Sequence, residues 1–237
     1  MVGSSLNGSD SDSIWNVITI NGLKKSYQLG EMEVPILHGI DLNVKKGEFV
    51  AIMGPSGSGK STLMNMIGCL DRPTGGSVRL MGKDTASISD NELAELRGFE
   101  IGFVFQNFNL IPRLSAYENV LLPTYSNSKK NIDAAQRAKD LLTLVGLDDR
   151  LHHKPTELSG GQRQRVAIAR SMINDPSLIL ADEPTGNLDS KTSEEIMGIF
   201  SELHGKGCTI VMITHDPEMK KYVDRVVLIR DGKIENN

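Results

Sequence analysis

Four apolar stretches of this chain each run straight into residues that handle phosphate, metal or water. EFVAIM leads into Gly54-Pro55-Ser56-Gly57-Ser58-Gly59-Lys60-Ser61-Thr62, IGFVF into Gln106, SLILA into Asp182 and Glu183, and TIVMIT into His215. Only the first ending is distinctive by itself. Gly54 to Ser61 fits GxxxxGK[ST], the phosphate-binding loop, with strand-like residues before it and the helical STLMNMIG after it. Glycines let a backbone wrap phosphate oxygens with its N–H groups turned inward, and the following helix adds the positive end of its dipole. In that pattern Lys60 reaches the β- and γ-phosphates and Ser61 holds Mg2+.

The loop explains the paired acids. Neighbouring carboxylates repel, and a core strand has no structural need to end on both Asp182 and Glu183. A metal-bound triphosphate supplies the opposite charge. Asp182 is expected to take the Mg2+ side through water. Glu183 is then left to orient or deprotonate a water aimed at the γ-phosphorus. Without the loop, the pair would be an ordinary solvated strand end. Gln106 and His215 mean little singly. At the same edge, Gln106 is expected to sense Mg2+ or the attacking water, and His215 to hydrogen-bond the γ-phosphate.

A second Gly-rich helix start lies in LSGGQRQRVAIAR. Ser159 reads as an N-cap, Gly160 and Gly161 open the helix, Gln162 follows, and VAIAR supplies an apolar face. Such a start is another anion site. Two phosphate cradles for one nucleotide point to a composite site, in which this helix start serves the nucleotide of another copy. Arg163, Arg165 and Arg170 behind it read as a solvated helix face.

The elements that must position these groups follow from the patterning. Between Val17 and Phe49, the runs VITING, VPILHGIDLNV and GEFVAIM carry strand signals, with Gly22, Gly30, Pro35 and Gly47 as turn residues between them. GSVRLMG is a further strand, and a polar helix is expected near Asp90 to Arg97. From Ala116 to about Ile173 the spacing is mostly helical, as in AAQRAKDLLTLVGL. Then SLILA, the helix TSEEIMGIFSELH, TIVMIT, a short helix near Pro217 to Tyr222, and RVVLI alternate. Apolar strands alternating with helices predict a parallel sheet covered on both faces. Ligands bind outside the carboxyl ends of such strands, so four chemical endings describe one site.

The bulk numbers bound the class. At 237 residues the chain can bury a core without staples. Its net charge of −4 argues against a nucleic-acid binder. The two cysteines, Cys69 and Cys208, sit in separate apolar contexts, which reads as buried free thiols. No apolar run reaches the ~18 residues of a membrane span. The Ser/Gly/Asp-rich start is no signal peptide and reads as a disordered tail. A cytoplasmic chain is expected.

With these motifs in this order, the chain resembles the ATP-binding subunits of ABC transporters over essentially Val17 to Ile234. The resemblance makes Gly54 to Ser61 the Walker A loop, Gln106 the Q-loop residue and Leu158 to Gln162 the signature. Leu178 to Asp182 becomes Walker B, Glu183 the catalytic acid, Leu188 and Asp189 the D-loop, and His215 the H-loop residue. It makes Tyr27 the aromatic that stacks on adenine. MGPSGSGKSTLMNMIGCLDRPTGG, IGFVFQNFNLIPRLSAYENVLLP and ADEPTGNLDSKT are similar to the MacB/LolD branch, of the macrolide-exporter and lipoprotein-release type. The fold implied is α/β: a P-loop NTPase core with a mainly parallel sheet, an N-terminal antiparallel β subdomain and an inserted helical subdomain. The helical insert falls at about 107–173, within an ATPase domain over 14–237 behind a tail over 1–13. The cofactors implied are ATP and Mg2+. Ser61, Gln106 and Asp182 would hold the metal. Tyr27, Gly54, Ser56, Gly57, Ser58, Gly59, Lys60, Ser61 and Thr62 would bind the nucleotide of the same copy. Ser159, Gly160, Gly161 and Gln162 would meet that of the other copy, and Asp189, also a nucleotide-site residue, would line the shared interface. The partners implied are a second copy, head to tail, and a membrane permease subunit with an extracytoplasmic domain, with a periplasmic or extracellular adaptor beyond it. The permease would hold the chain on the inner face of the membrane. An ATPase of FtsE-like type, regulating an envelope process without transport, would carry the same motor.

Overall fold

The computed structural model describes residues 16–126 and 133–235, so the tail expected over 1–13 lies outside the described residues. Strands β1 (Asn16–Leu29), β2 (Met32–Lys45), β4 (Gly75–Leu80) and β5 (Lys83–Asp84) form an antiparallel sheet in the order β2-β1-β4-β5. Strands β3 (Phe49–Met53), β6 (Ile101–Phe105), β7 (Leu178–Asp182), β8 (Ile210–Ile213), β9 (Arg225–Arg230) and β10 (Lys233–Ile234) form the second sheet, ordered β10-β9-β3-β8-β7-β6. Its β10–β9 pair is antiparallel; the other pairs are parallel.

All five residues of β3 are buried, which requires cover on both faces. Alternation along the strand decides what each face meets. Val50 and Ile52 join a core built with the antiparallel sheet and helices α1 (Lys60–Ile67) and α2 (Asp90–Glu100). Phe49, Ala51 and Met53 join a second core, built with α3 (Ala116–Leu121), α4 (Ala134–Leu144), α5 (Gly160–Ser171) and α6 (Ser190–Gly205). The helices expected from Ala116 onward are therefore α3 to α5, which follow β6 and precede β7 in the chain.

Two residues read as turns lie inside strands. Gly22, at φ 57°, sits where the β1–β2 register shifts between Ile20 and Leu23. Pro35 pairs with Ser26 at another shift. A glycine at positive φ and a proline on an edge strand mark bulges as well as they mark turns, and β2 is the edge of its sheet. The expected short runs are thus two long, bulged strands of 14 residues each.

The Arg163, Arg165 and Arg170 face is also not solvated. Arg163 lies over the Phe108 ring, 5.0 Å from its centroid. Arg165 donates to the Val145 carbonyl at 2.9 Å and to Glu195 at 2.8 Å. Arg170 donates to the carbonyls of Phe108 and Asn109, and burial pulls its pKa below the usual value. The three guanidiniums tie α5 to its neighbours, because a helix crossing a crowded layer has no solvated side there.

Phe200 of α6 is fully buried, with its ring centroid 6.4 Å from that of Phe49. Phe200→Ala is expected to lower unfolding stability by about 3–5 kcal/mol, read as a lower urea midpoint with unchanged slope.

Candidate active site

Parallel register aligns the four chemical endings. Phe105 pairs with Asp182, Asp182 with Ile213, and Ile213 with Ile52. One rung of the sheet therefore carries β6, β7, β8 and β3, and the next residues outward are Gln106, Glu183, Thr214 and Met53. Lys60, Gln106, Asp182, Glu183 and His215 all come to this edge.

After β3 the chain passes Gly54, where a Cβ would stand 2.0 Å from the Ile229 carbonyl oxygen, so only glycine fits. The loop then turns into α1 through Gly59, whose φ is 102°. No side chain caps α1 and no acid lies in its first turn, whereas Ser89, Ser115, Asp133, Ser159 and Asp189 cap the other five α-helices. The first-turn N–H groups of α1 are thus available to an anion. Lys60 is 9% exposed and donates to the Gly54 and Pro55 carbonyls at 2.9 and 2.8 Å. Two of its three N–H bonds hold the loop, which leaves one for a ligand. Ser58 Oγ is buried with no partner among the described residues. Ser56, Gly57 and Ser61 are exposed, and Thr62 is half-buried.

Asp182 is half-buried at the strand end. Burial raises its pKa above the usual carboxylate range, Glu183 raises it further, and Lys60 opposes both. Glu183 has φ 44°, an uncommon value for a side chain with a Cβ, costing roughly 1–2 kcal/mol. Its N–H donates to Ile213 at 2.9 Å, and its Oε1 lies 2.7 Å from His215 Nδ1. A carboxylate only accepts, so Nδ1–H donates here and Oε2 remains for a water. To donate to phosphate while keeping this bond, His215 must carry both ring protons.

Gln106 Nε2 approaches Asn187 Oδ1 at 3.4 Å, and Asn187 Nδ2 donates to the Gln106 carbonyl and to Asn107 Oδ1, both at 3.1 Å. Asn187 was invisible to sequence reasoning, since nothing in its type links it to a residue 81 positions away. Its one signal was its place beside Leu188 and Asp189.

Tyr27, 39% exposed near the end of β1, reaches this edge from the other sheet. Its hydroxyl interacts with Asp71 and with Thr62 of α1; burial first, and then Asp71, pushes its pKa up. Lys25 Nζ lies 4.8 Å from the ring centroid and donates to Asp71 at 2.7 Å. The signature residues stand elsewhere. Ser159 and Gln162 form a reciprocal capping box at the start of α5. A Cβ on Gly161 would lie 2.4 Å from Thr192 Cγ2, and Thr192 is itself held by Asp189 at 2.7 Å. Gly160 and Gly161 thus lie against Leu188 and Thr192, the residues on either side of the Asp189 cap.

An uncapped helix behind a glycine loop, with a lysine inside it and an oxygen-only donor set of Ser61, Gln106 and Asp182, fits a triphosphate and hard Mg2+. Comparison with known proteins agrees. The family model for the ABC transporter matches residues 37–186. The chain belongs to the ABC transporter ATP-binding family. The uncharacterized ABC transporter ATP-binding protein YvrO of Bacillus subtilis is 59% identical over 218 residues, 92% of this chain and 95% of that protein. The macrolide export ATP-binding/permease protein MacB of Syntrophobacter fumaroxidans is 53% identical over 223 residues, which cover 93% of this chain but 31% of MacB. The dimeric bacterial ABC transporter cassette MJ0796 has a TM-score of 0.84 and 46% identity, over 92% of this chain and 97% of that one. Another dimeric structure of that cassette holds ADP and Pi. This ABC cassette is an ATP hydrolase that uses ATP and Mg2+, on the P-loop α/β fold.

Lys60→Met removes the one influence that holds Asp182 down, so the Asp182 titration should move further up. Carboxyl NMR reads this directly, and an unmoved titration would show that the two charges do not sense each other.

Proposed function

We propose that this ABC cassette drives export or extraction of a substrate through a MacB/LolD-like permease, acting as a head-to-tail homodimer that closes on two ATP. The observation that carries the dimer is the division of phosphate-binding devices between two elements. One is the uncapped start of α1 beside Asp182 and Glu183; the other is the Ser159–Gly161 start of α5, beside Asp189. Bound there, Mg2+ would be held on the protein side by Ser61 and Asp182 and would supply positive charge against that of the phosphates. Lys60 and the loop N–H groups hold the phosphates. Glu183, aimed by its bond to His215, presents Oε2 to the attacking water. Ser159 keeps its acceptor role in the cap, so its hydroxyl proton is available to the other copy's nucleotide. Tyr27 offers its ring to the base.

The branch assignment is supported by relatives whose names join an ATP-binding part to a permease. No helix of the described residues is long and apolar enough to cross a membrane, so the permease supplies the attachment to the inner face. For its docking helix we favour a cleft of about 410 Å³ lined by Leu70, Ile101, Phe103, Phe105 and Ile173 among others. Leu70 is 48% exposed there. The FVFQNFNLIPRLSAYENVLLP run is divided: Leu110 and Tyr117 pack on the second core, Phe105 lines the cleft, and Ile111 is exposed.

Lys60→Ala should abolish nucleotide binding. Glu183→Gln should keep binding, lower turnover by roughly 10²-fold or more, and elute as a dimer with ATP on size exclusion. Parent-rate hydrolysis by Glu183→Gln would overturn the assignment of the base, and a monomer with ATP bound would overturn the composite site. Pull-down of the membrane partner, followed by ATPase assays of the pair with candidate substrates, separates transport from a purely regulatory motor. Leu70→Asp should lose that partner.

A further inference from the structure

Gln164 lies on α5, two residues beyond the signature, and is 0% exposed. Its Nε2 donates to the Pro184 carbonyl at 2.7 Å, while its Oε1 has no partner among the described residues. A buried amide that leaves its acceptor unpaired is costly, and an apolar residue of similar volume would avoid that cost. What the amide supplies is a donor for one particular carbonyl.

That carbonyl belongs to Pro184, the residue just after Glu183. The backbone there is unusual: Glu183 has φ 44°, and Gly186 N–H closes a turn onto the Glu183 carbonyl at 3.0 Å. Pro184 has no N–H to give, so its carbonyl is the only backbone hydrogen-bonding group by which that residue is held. The bond from Gln164 fixes the far side of the turn whose near side aims Glu183 at His215. The same helix begins with Ser159 to Gly161, and its first turn packs on Leu188 and Thr192.

We propose that Gln164 is a positioning residue for the catalytic carboxylate, and that it ties Glu183, which serves the nucleotide of its own copy, to the helix start that serves the other. The inference rests on the composite-site reading above. Movement of α5 as its start engages a phosphate is passed through one buried hydrogen bond to the turn that holds Glu183. Each site is thereby informed of the occupancy of its twin without a nucleotide contact by Gln164 itself.

Gln164→Met keeps the volume and removes the donor. The expected result is a kcat lower by roughly tenfold with the KM for ATP within about twofold. Amide exchange at Gly186 in the nucleotide-free protein should rise by about tenfold or more as the turn loosens. ATP-driven dimerisation should persist when the change is combined with Glu183→Gln. Parent values of kcat and Gly186 exchange would overturn the proposal. Loss of dimerisation with unaltered Gly186 exchange would also overturn it, making Gln164 a packing residue of α5. If the variant fails to fold, the parent decides: a Gln164 side-chain amide that exchanges as fast as a surface glutamine removes the bond on which the inference stands. Failure of the composite site itself shows separately, as a monomeric Glu183→Gln protein with ATP bound.

Discussion

Ile52, Ile213, Asp182 and Phe105 lie side by side across four parallel strands, and the chemistry of this protein depends on that single rung. Side chains alternate along a strand, so a slip of one residue in any pair would carry a catalytic group to the wrong face. The register is secured by apolar residues packed on both faces of the sheet. The site is thus fixed by burial far from it. The loop, the paired acids, the glutamine and the histidine need no contact with one another to arrive at the same edge.

At that edge, the two adjacent carboxylates are kept apart by conformation. Asp182 ends the ladder and faces Lys60; Glu183 leaves the ladder through a left-handed turn and faces His215. The strain of that turn is offset by bonds from the Glu183 N–H to Ile213, from the Gly186 N–H to Glu183, and from Gln164 to Pro184. Burial first, and then the repulsion that remains, raises the pKa of Asp182. A divalent cation would remove that repulsion, so the energetic cost of the ligand-free edge becomes a preference for metal-bound phosphate.

What was legible in the sequence was whatever alternation or a chemically distinctive residue announces. The strand endings, the glycine loop, the Ser159 cap and the sheet with helices on both faces all belong to that class. What was not legible depends on contacts that cross the chain. Arg163 and Arg170 resemble a solvated helix face until Phe108 and Asn109 are placed against them. Asn187 and Gln164 are ordinary amides until the turn after β7 brings them to Gln106 and Pro184. Gly22 and Pro35 mislead for another reason: the same backbone freedom and the same missing donor serve a bulge and a turn alike.

The two helix starts that the proposed composite site turns toward phosphate are built differently, and the difference matches the nucleotide each one would meet. The start of α1 has a glycine before it, no cap and no acid, so its N–H groups gain their partners from a ligand. A capping side chain there would compete with the phosphate for the same donors. The start of α5 carries a full capping box, with Ser159 and Gln162 satisfying each other. That helix must stay folded whether or not a second copy is near, because it anchors α3, α4 and β6. Its anion-binding capacity is what remains after the cap is made: one hydroxyl proton and the N–H groups the cap does not use. In the proposed dimer the resident nucleotide would therefore be held by the more open device and the visiting one by the self-sufficient device. That ordering would let the cassette retain a nucleotide while it is single and engage a second surface only when another copy arrives.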